Sequence, residues 1–262
     1  MLRVTVLLEN HITRNAATLI CRPGLSLLIE DGITRLLFDT GPDASFISNA
    51  EKMGVPLEHI DWVVLSHGHY DHCGGLRHLQ TLPKVLCHPG VYDHKYAGVR
   101  ILNRFIAIKK ISTQLPSVKH NFYFTKKPYE ISDRFIWSGE IASVKSYGYV
   151  KRAKVEPDTL NDEGALIYKC EKGLVIFTGC GHKGLRNIIE HCKQLTGVST
   201  IYAVVGGMHL RRAMPWSLIS LRNYIKAVNP ERILTCHCTG KWGKQWLPGA
   251  EEINTGDVIS LL

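Results

Sequence analysis

His67, His69, Asp71 and His72 place four potential metal ligands within six positions, in Ser66-His67-Gly68-His69-Tyr70-Asp71-His72. In an extended segment or a tight turn, residues two apart point the same way, so His67 and His69 can share one ion. Asp71 and His72 then turn back over the loop and can hold a second. Imidazole nitrogen with one carboxylate oxygen suits Zn²⁺, Fe²⁺ or Mn²⁺, whereas an all-oxygen set would point to Mg²⁺ or Ca²⁺.

The apolar run Asp61-Trp62-Val63-Val64-Leu65 before this loop reads as a buried β-strand, so the ligands sit where the chain leaves a sheet. Three later apolar runs also lead to a histidine: Gly173 to Thr178 precedes His182, Ile201 to Gly207 precedes His209, and Arg232 to Cys236 precedes His237. Ligands in α/β layer folds collect at one edge of the sheet. These three histidines can therefore converge on the first loop, which alone has too few donors for two metals. Of the eight cysteines, Cys73, Cys180, Cys236 and Cys238 adjoin these histidines.

The elements around the loops follow from pattern. Arg3 to Leu8 reads as a first strand, Thr18 to Cys21 and Leu25 to Glu30 as extended, and Asp31-Gly32 as a hairpin turn returning through Ile33 to Phe38. Helices are expected over Asp43 to Met53, Leu76 to Leu82, Trp216 to Val228 and a stretch with Leu185, Ile188, Ile189, Cys192 and Leu195 at helical spacing. Lys84 to Cys87 and Asp257 to Leu262 read as further strands. From Val91 the pattern weakens, Pro116 and Pro128 interrupt, and short strands recur at 122–124 and 134–137. Residues 91–160 are accordingly read as an inserted cap within a single domain spanning 1–262. Strands first, then alternating strand and helix, fit an α/β fold: an αββα sandwich.

At 262 residues, with 45% hydrophobic and 21% charged side chains, the composition is that of a folded globular chain. No apolar run reaches the roughly 18–20 residues that span a bilayer. The alternating N-terminus reads as a strand, not a signal peptide, which places the expected location in the cytoplasm and its cysteines in reduced form. The net charge of +9 is concentrated at 91–160, where 13 Lys and Arg face 6 Asp and Glu. Such a segment can be a solvated face, a nucleic-acid surface or a pocket for an anionic small-molecule substrate. No basic–aromatic nucleic-acid module is visible.

The H-x-H-x-D-H pattern of His67 to His72 resembles the metallo-β-lactamase superfamily. Leu37-Phe38-Asp39-Thr40-Gly41 resembles its first motif, which implies that Asp39 orients the histidine loop through hydrogen bonds. Thr178-Gly179-Cys180-Gly181-His182-Lys183-Gly184, Gly206-Gly207-Met208-His209-Leu210 and His237-Cys238-Thr239-Gly240 look like one branch. That branch is the 7,8-dihydropterin-6-methyl-4-(β-D-ribofuranosyl)aminobenzene-5′-phosphate synthase-like proteins. The resemblance implies a four-layer αββα sandwich with two mixed sheets and outer helices. It implies two divalent ions, zinc first and iron or manganese next, on His67, His69, Asp71, His72, Cys180, His182 and His237. Cys180 stands where the wider superfamily has a bridging aspartate, and His182 would supply the third histidine of the first metal. His209 would ligate metal or contact substrate.

The chemistry implied is a hydrolase or lyase in which a metal-held hydroxide attacks a phosphoester, lactone or amide. Asp71 would orient the nucleophile. Lys95, Lys183 or Lys241 would hold a substrate phosphate, and His88 would line the pocket. The alternative is an iron or iron–sulfur redox protein that draws on the nearby cysteines.

Overall fold

The computed structural model describes residues 1–262 except 15, 102–103, 114, 116–119, 144–146 and 153, so Pro116 lies outside the described residues. Two seven-stranded mixed sheets lie face to face. The first takes Val258–Ser260, Arg3–Leu8, Ser26–Glu30, Arg35–Phe38, Trp62–Val64, Lys84–Cys87 and Asn121–Phe124 in that spatial order. The second takes Ala250–Glu252, Arg232–Thr235, Ile201–Gly206, Gly173–Thr178, Leu166–Cys170, Phe135–Trp137 and Tyr129–Glu130.

Period-two alternation in apolar strands explains the layering. Leu36 and Phe38 point into the core between the sheets, with Trp62, Val64, Val175, Phe177, Ala203 and Val205. Leu37 and Val63 point the other way and pack under the helix Ser45–Lys52 with Phe46 and Ala50. On the second sheet, Leu174, Ile176 and Val204 face the helices Leu185–Thr196 and Pro215–Val228, meeting Leu185, Ile188, Ile189, Leu218 and Ile225. The result is the expected αββα order, with Cys192 buried on its helix. No described helix is long and apolar enough to cross a membrane.

Three local expectations change. Thr18 to Cys21 forms no strand, and the helix expected over Leu76 to Leu82 is a 3₁₀ turn, Gly74–His78. That turn is pressed against the end of the first motif: a Cβ on Gly75 would lie 2.0 Å from the Thr40 carbonyl oxygen. Residues 91–160 do not form one insert. Asn121–Phe124 extends the first sheet in parallel to Lys84–Cys87, and Phe135–Trp137 pairs with Leu166–Cys170 in the second. Both have apolar faces that the main core can bury, Trp137 being 1% exposed. Among the described residues, His94–Ile101, Arg104–Lys110, Tyr149–Lys151 and Val155–Pro157 form a separate, four-stranded sheet.

Candidate metal centre

Strand direction brings the motif loops together. Gly173–Thr178, Ile201–Gly206 and Arg232–Thr235 run parallel, so their C-terminal ends deliver Cys180, His182, His209 and His237 to one sheet edge. In the first sheet Arg35–Phe38 and Trp62–Val64 are likewise parallel and deliver Asp39 and the His67 loop.

Four rings of the centre are held through Nδ1 by a neighbouring side chain. Asp39 is fully buried and accepts three hydrogen bonds: from Ser66 N–H at 2.7 Å, from Ser66 Oγ–H at 2.7 Å and from His72 Nδ1–H at 2.7 Å. Because the Ser66 proton goes to Asp39, Ser66 Oγ accepts from His67 Nδ1–H, at 2.8 Å. His182 Nδ1–H donates to Glu163 Oε1 at 2.9 Å, and His237 Nδ1–H to Asn10 Oδ1 at 2.9 Å. Four imidazoles therefore turn Nε2 into one small space.

Spacings inside that space suit a cation. His72 Nε2 lies 3.2 Å from His237 Nε2, and Cys180 Sγ lies 3.2 Å from the first and 3.3 Å from the second. Ligand nitrogens about 2.0–2.1 Å from a tetrahedral zinc are separated by about 3.3 Å. His67 Nε2 is 3.0 Å from His69 Nδ1, and His69 Nε2 is buried without a partner among the described residues. Ligand atoms of His67, His69 and His182 lie within 4.8 Å of one another, as do those of Asp71, His72 and His237. Cys180 lies between the two triads, grouping with His67 and His72. The donor set, imidazole nitrogen with a thiol and a carboxylate, fits borderline-soft divalent metal.

The electrostatics agree. Burial, then the neighbouring imidazoles, pushes His67 and His69 well below their ordinary range, so both stay neutral. Burial also opposes charge on His72, but Asp39 and Asp71 raise it to about 9 in the metal-free centre. Burial pushes the Cys180 thiol up. The backbone is strained at three site residues: Asp39, His209 and His237 have φ of 59°, 48° and 52°. Such non-glycine conformations cost of order 1–3 kcal/mol and persist where the surroundings impose them.

The remaining expected residues divide. Asp71 reaches the rim, its side chain 21% exposed and Oδ2 3.8 Å from His237 Nε2. His209 is also at the rim, its ring centroid 4.5 Å from that of His182 and 5.0 Å from that of Tyr147. Lys95 is not at the mouth of a pocket: it is 1% exposed and its ammonium is paired with Asp162 and Asp158, because a buried charge needs counter-charge. Lys183 is likewise buried, and its ammonium donates to the Thr159 carbonyl at 3.0 Å. His88 accepts from Gly90 N–H at Nδ1 and donates from Nε2 to Glu140 at 2.7 Å, so both nitrogens are used within the protein. Lys241 is exposed on the short helix Gly240–Lys244.

Sequence reasoning missed Asn10, Ser66, Tyr147, Asp162 and Glu163, all partners of the histidine loops. It noticed Cys238 beside His237 without assigning it to the site. Its sulfur groups with Cys180 and His209 and accepts the His209 N–H at 3.3 Å.

The chain belongs to the metallo-β-lactamase superfamily, whose family model matches residues 19–180. An uncharacterized protein of Methanocaldococcus jannaschii is 34% identical over 226 residues, covering 83% of this chain and 84% of its own. The same organism's 7,8-dihydropterin-6-methyl-4-(β-D-ribofuranosyl)-aminobenzene-5′-phosphate synthase is 28% identical over 237 residues, covering 83% and 81%. Among solved structures, a metal-dependent hydrolase of the β-lactamase superfamily superposes with a TM-score of 0.83 over 99% of both chains, at 26% identity.

Proposed function

We propose that this protein is a metal-dependent hydrolase or lyase acting on a small, anionic or phosphorylated substrate. One observation carries the reading: four buried imidazoles are fixed through Nδ1 so that their Nε2 atoms meet around Cys180. Ring nitrogens buried at such spacing need a proton or a cation between them, and a divalent ion serves several of them at once. His67, His69 and His182 would hold one divalent ion and Asp71, His72 and His237 the other, with Cys180 between. Zinc suits this nitrogen–sulfur set best, with iron or manganese next. Such ions supply Lewis acidity and a water acidic enough to attack near neutral pH.

The chain's own residues supply the rest. Asp71, partly exposed at the rim, is placed to accept a proton from the attacking group and orient it. His209 faces the same opening and is placed to contact the substrate. An anionic substrate is supported by the basic excess in 91–160, including Lys109, whose exposed ammonium meets Tyr70 Oη in the metal loop at 3.0 Å. The phosphate in the name of the 28% identical synthase supports the same class. All eight cysteines are free, which supports a reducing compartment such as the cytosol.

The four-thiolate form of the iron–sulfur alternative is not supported by the cysteine positions. Cys236 is built into the core between the sheets and Cys73 into the core under the first helix, which leaves Cys180 and Cys238 at the centre. Ferredoxin-type clusters take four thiolates.

Purified protein should contain about two divalent ions and no acid-labile sulfide, and should turn over members of a phosphoester and lactone panel. His69→Ala and Asp71→Ala should lose metal and turnover together. Turnover retained by the metal-free His69→Ala protein would overturn the proposal.

A further inference from the structure

Two consecutive carboxylates reach the two loops that carry the first triad. Asp162 Oδ2 accepts the Gly68 N–H at 2.7 Å, and Gly68 lies between His67 and His69. Glu163 Oε1 accepts both the N–H and the Nδ1–H of His182, at 2.9 Å each, while Oε2 accepts the Lys183 N–H at 2.7 Å. The next residue adds a backbone tie, Gly164 N–H donating to the Ser66 carbonyl at 3.0 Å. Both carboxylates are 2% exposed.

The segment is itself pinned. Lys95, from the separate four-stranded sheet, pairs with Asp162 and lies 3.3 Å from Asp158. Asp158 Oδ1 accepts the Leu160 N–H at 2.8 Å, Leu160 has φ of 51°, and Lys183 Nζ donates back to the Thr159 carbonyl at 3.0 Å. The chain leaving the Arg104–Lys110 strand of that sheet flanks the metal loop directly, since Tyr70 N–H donates to the Ile111 carbonyl at 2.8 Å and Ser112 bridges to His69.

We infer that residues 158–163 form a strap in which Asp162 and Glu163 are positioning residues for one metal position, that of His67, His69 and His182. Lys95 anchors the strap to the third sheet. The inference rests on the metal-centre reading above. Its physical content is directional. An acceptor at Gly68 N–H fixes the turn that puts His67 and His69 on one side. An acceptor at His182 Nδ1 fixes the tautomer that leaves Nε2 free. The other metal position has a separate support, Asn10 on His237 Nδ1.

Selectivity between the two positions tests this. Metal-free wild type, Glu163→Gln, Asn10→Ala and the double variant are titrated with Zn²⁺ against a chelating indicator, and their metal-free melting temperatures are compared. Glu163→Gln should weaken one ion about 10–100-fold and leave the other within about twofold. Asn10→Ala should weaken one ion as well, and the double variant should weaken both, showing that the two changes act at different positions. Unchanged affinity in Glu163→Gln, equal weakening of both ions, or a loss that merely follows a lowered melting temperature overturns the strap. A wild type that binds no zinc overturns the metal-centre reading, and the strap with it.

Discussion

Asp39→Asn removes one acceptor from a carboxylate that serves three donors, and the consequences follow from geometry. The backbone is not the problem, since asparagine tolerates the φ of 59° at this position. If the amide oxygen faces Ser66 N–H, the amide NH₂ faces Ser66 Oγ and His72 Nδ1, which were both donors. His72 must then carry its proton on Nε2, the nitrogen that faces the metal, and Ser66 must turn its own proton toward His67. If the amide is turned over, the His72 and Ser66 Oγ bonds survive, but NH₂ meets the Ser66 N–H in a fully buried site. An unsatisfied buried donor costs about 1–3 kcal/mol, and two bonds losing their charge lose roughly 1 kcal/mol each. The metal-free variant should therefore be about 3–5 kcal/mol less stable, and zinc affinity should fall about 10–100-fold. Urea unfolding of metal-free protein and chelator competition read the two quantities. A stability change below about 1 kcal/mol with unchanged zinc affinity would refute the assigned hydrogen bonds.

Three further outcomes follow from the same geometry. In metal-free protein burial disfavours charge on His72, but Asp39 and Asp71 hold its proton up to about 9, so this pairing stabilises below the ordinary 6.5 and is lost as pH rises through about 9. Zinc must displace that proton, so uptake near neutral pH should release at least one; calorimetric titration in buffers of different ionisation heat counts it, and no release contradicts the assignment. Burial pushes the Glu163 carboxyl up, yet His182 and the backbone N–H groups of His182 and Lys183 hold it at about 2. Its contribution is present above the ordinary 4.5 and lost as pH falls toward 2, so Glu163→Gln should flatten the acid side of the metal-free stability curve. Gly179→Ala would put a Cβ 2.0 Å from Ser66 Oγ and 3.0 Å from Asp39 Oδ2. It should cost about 1–3 kcal/mol and weaken zinc binding, read by thermal melts with and without zinc.

The metal loop was legible because its ligands are local: His67 to His72 lie within one turn of chain after a strand whose apolar run is unmistakable. His182 and His237 were legible one step further, because parallel strands end on the same side. Asn10, Asp162 and Glu163 were not, since each acts on a partner that only the tertiary fold brings near, and a carboxylate in a loop has no period to betray it. Lys95 shows the opposite error. Its charge suggested a phosphate ligand, but sequence gives no depth, and the two aspartates that neutralise it lie 63 and 67 residues further along. The strands at 121–124 and 135–137 were visible as short pieces, but membership of a sheet depends on pairing with Lys84–Cys87 and Leu166–Cys170, which composition does not record.

His237 owes its orientation to the far end of the polypeptide: Asn10 accepts its Nδ1–H, and Glu9 accepts its backbone N–H at 3.2 Å, across separations of 227 and 228 residues. On a ribosome, residues 9 and 10 emerge long before 237. A nascent chain that has exposed the His67 loop and even His182 still presents only an open half-site, able to pick up an ion but not to enclose it. On the proposed reading, the group of Asp71, His72 and His237 is complete only once the Arg232–Thr235 strand has been made and docked beside Ile201–Gly206. In a chain stopped short of residue 237, Asp71 and His72 would lack the third side chain of their group, and the acceptors on Glu9 and Asn10 would stand open.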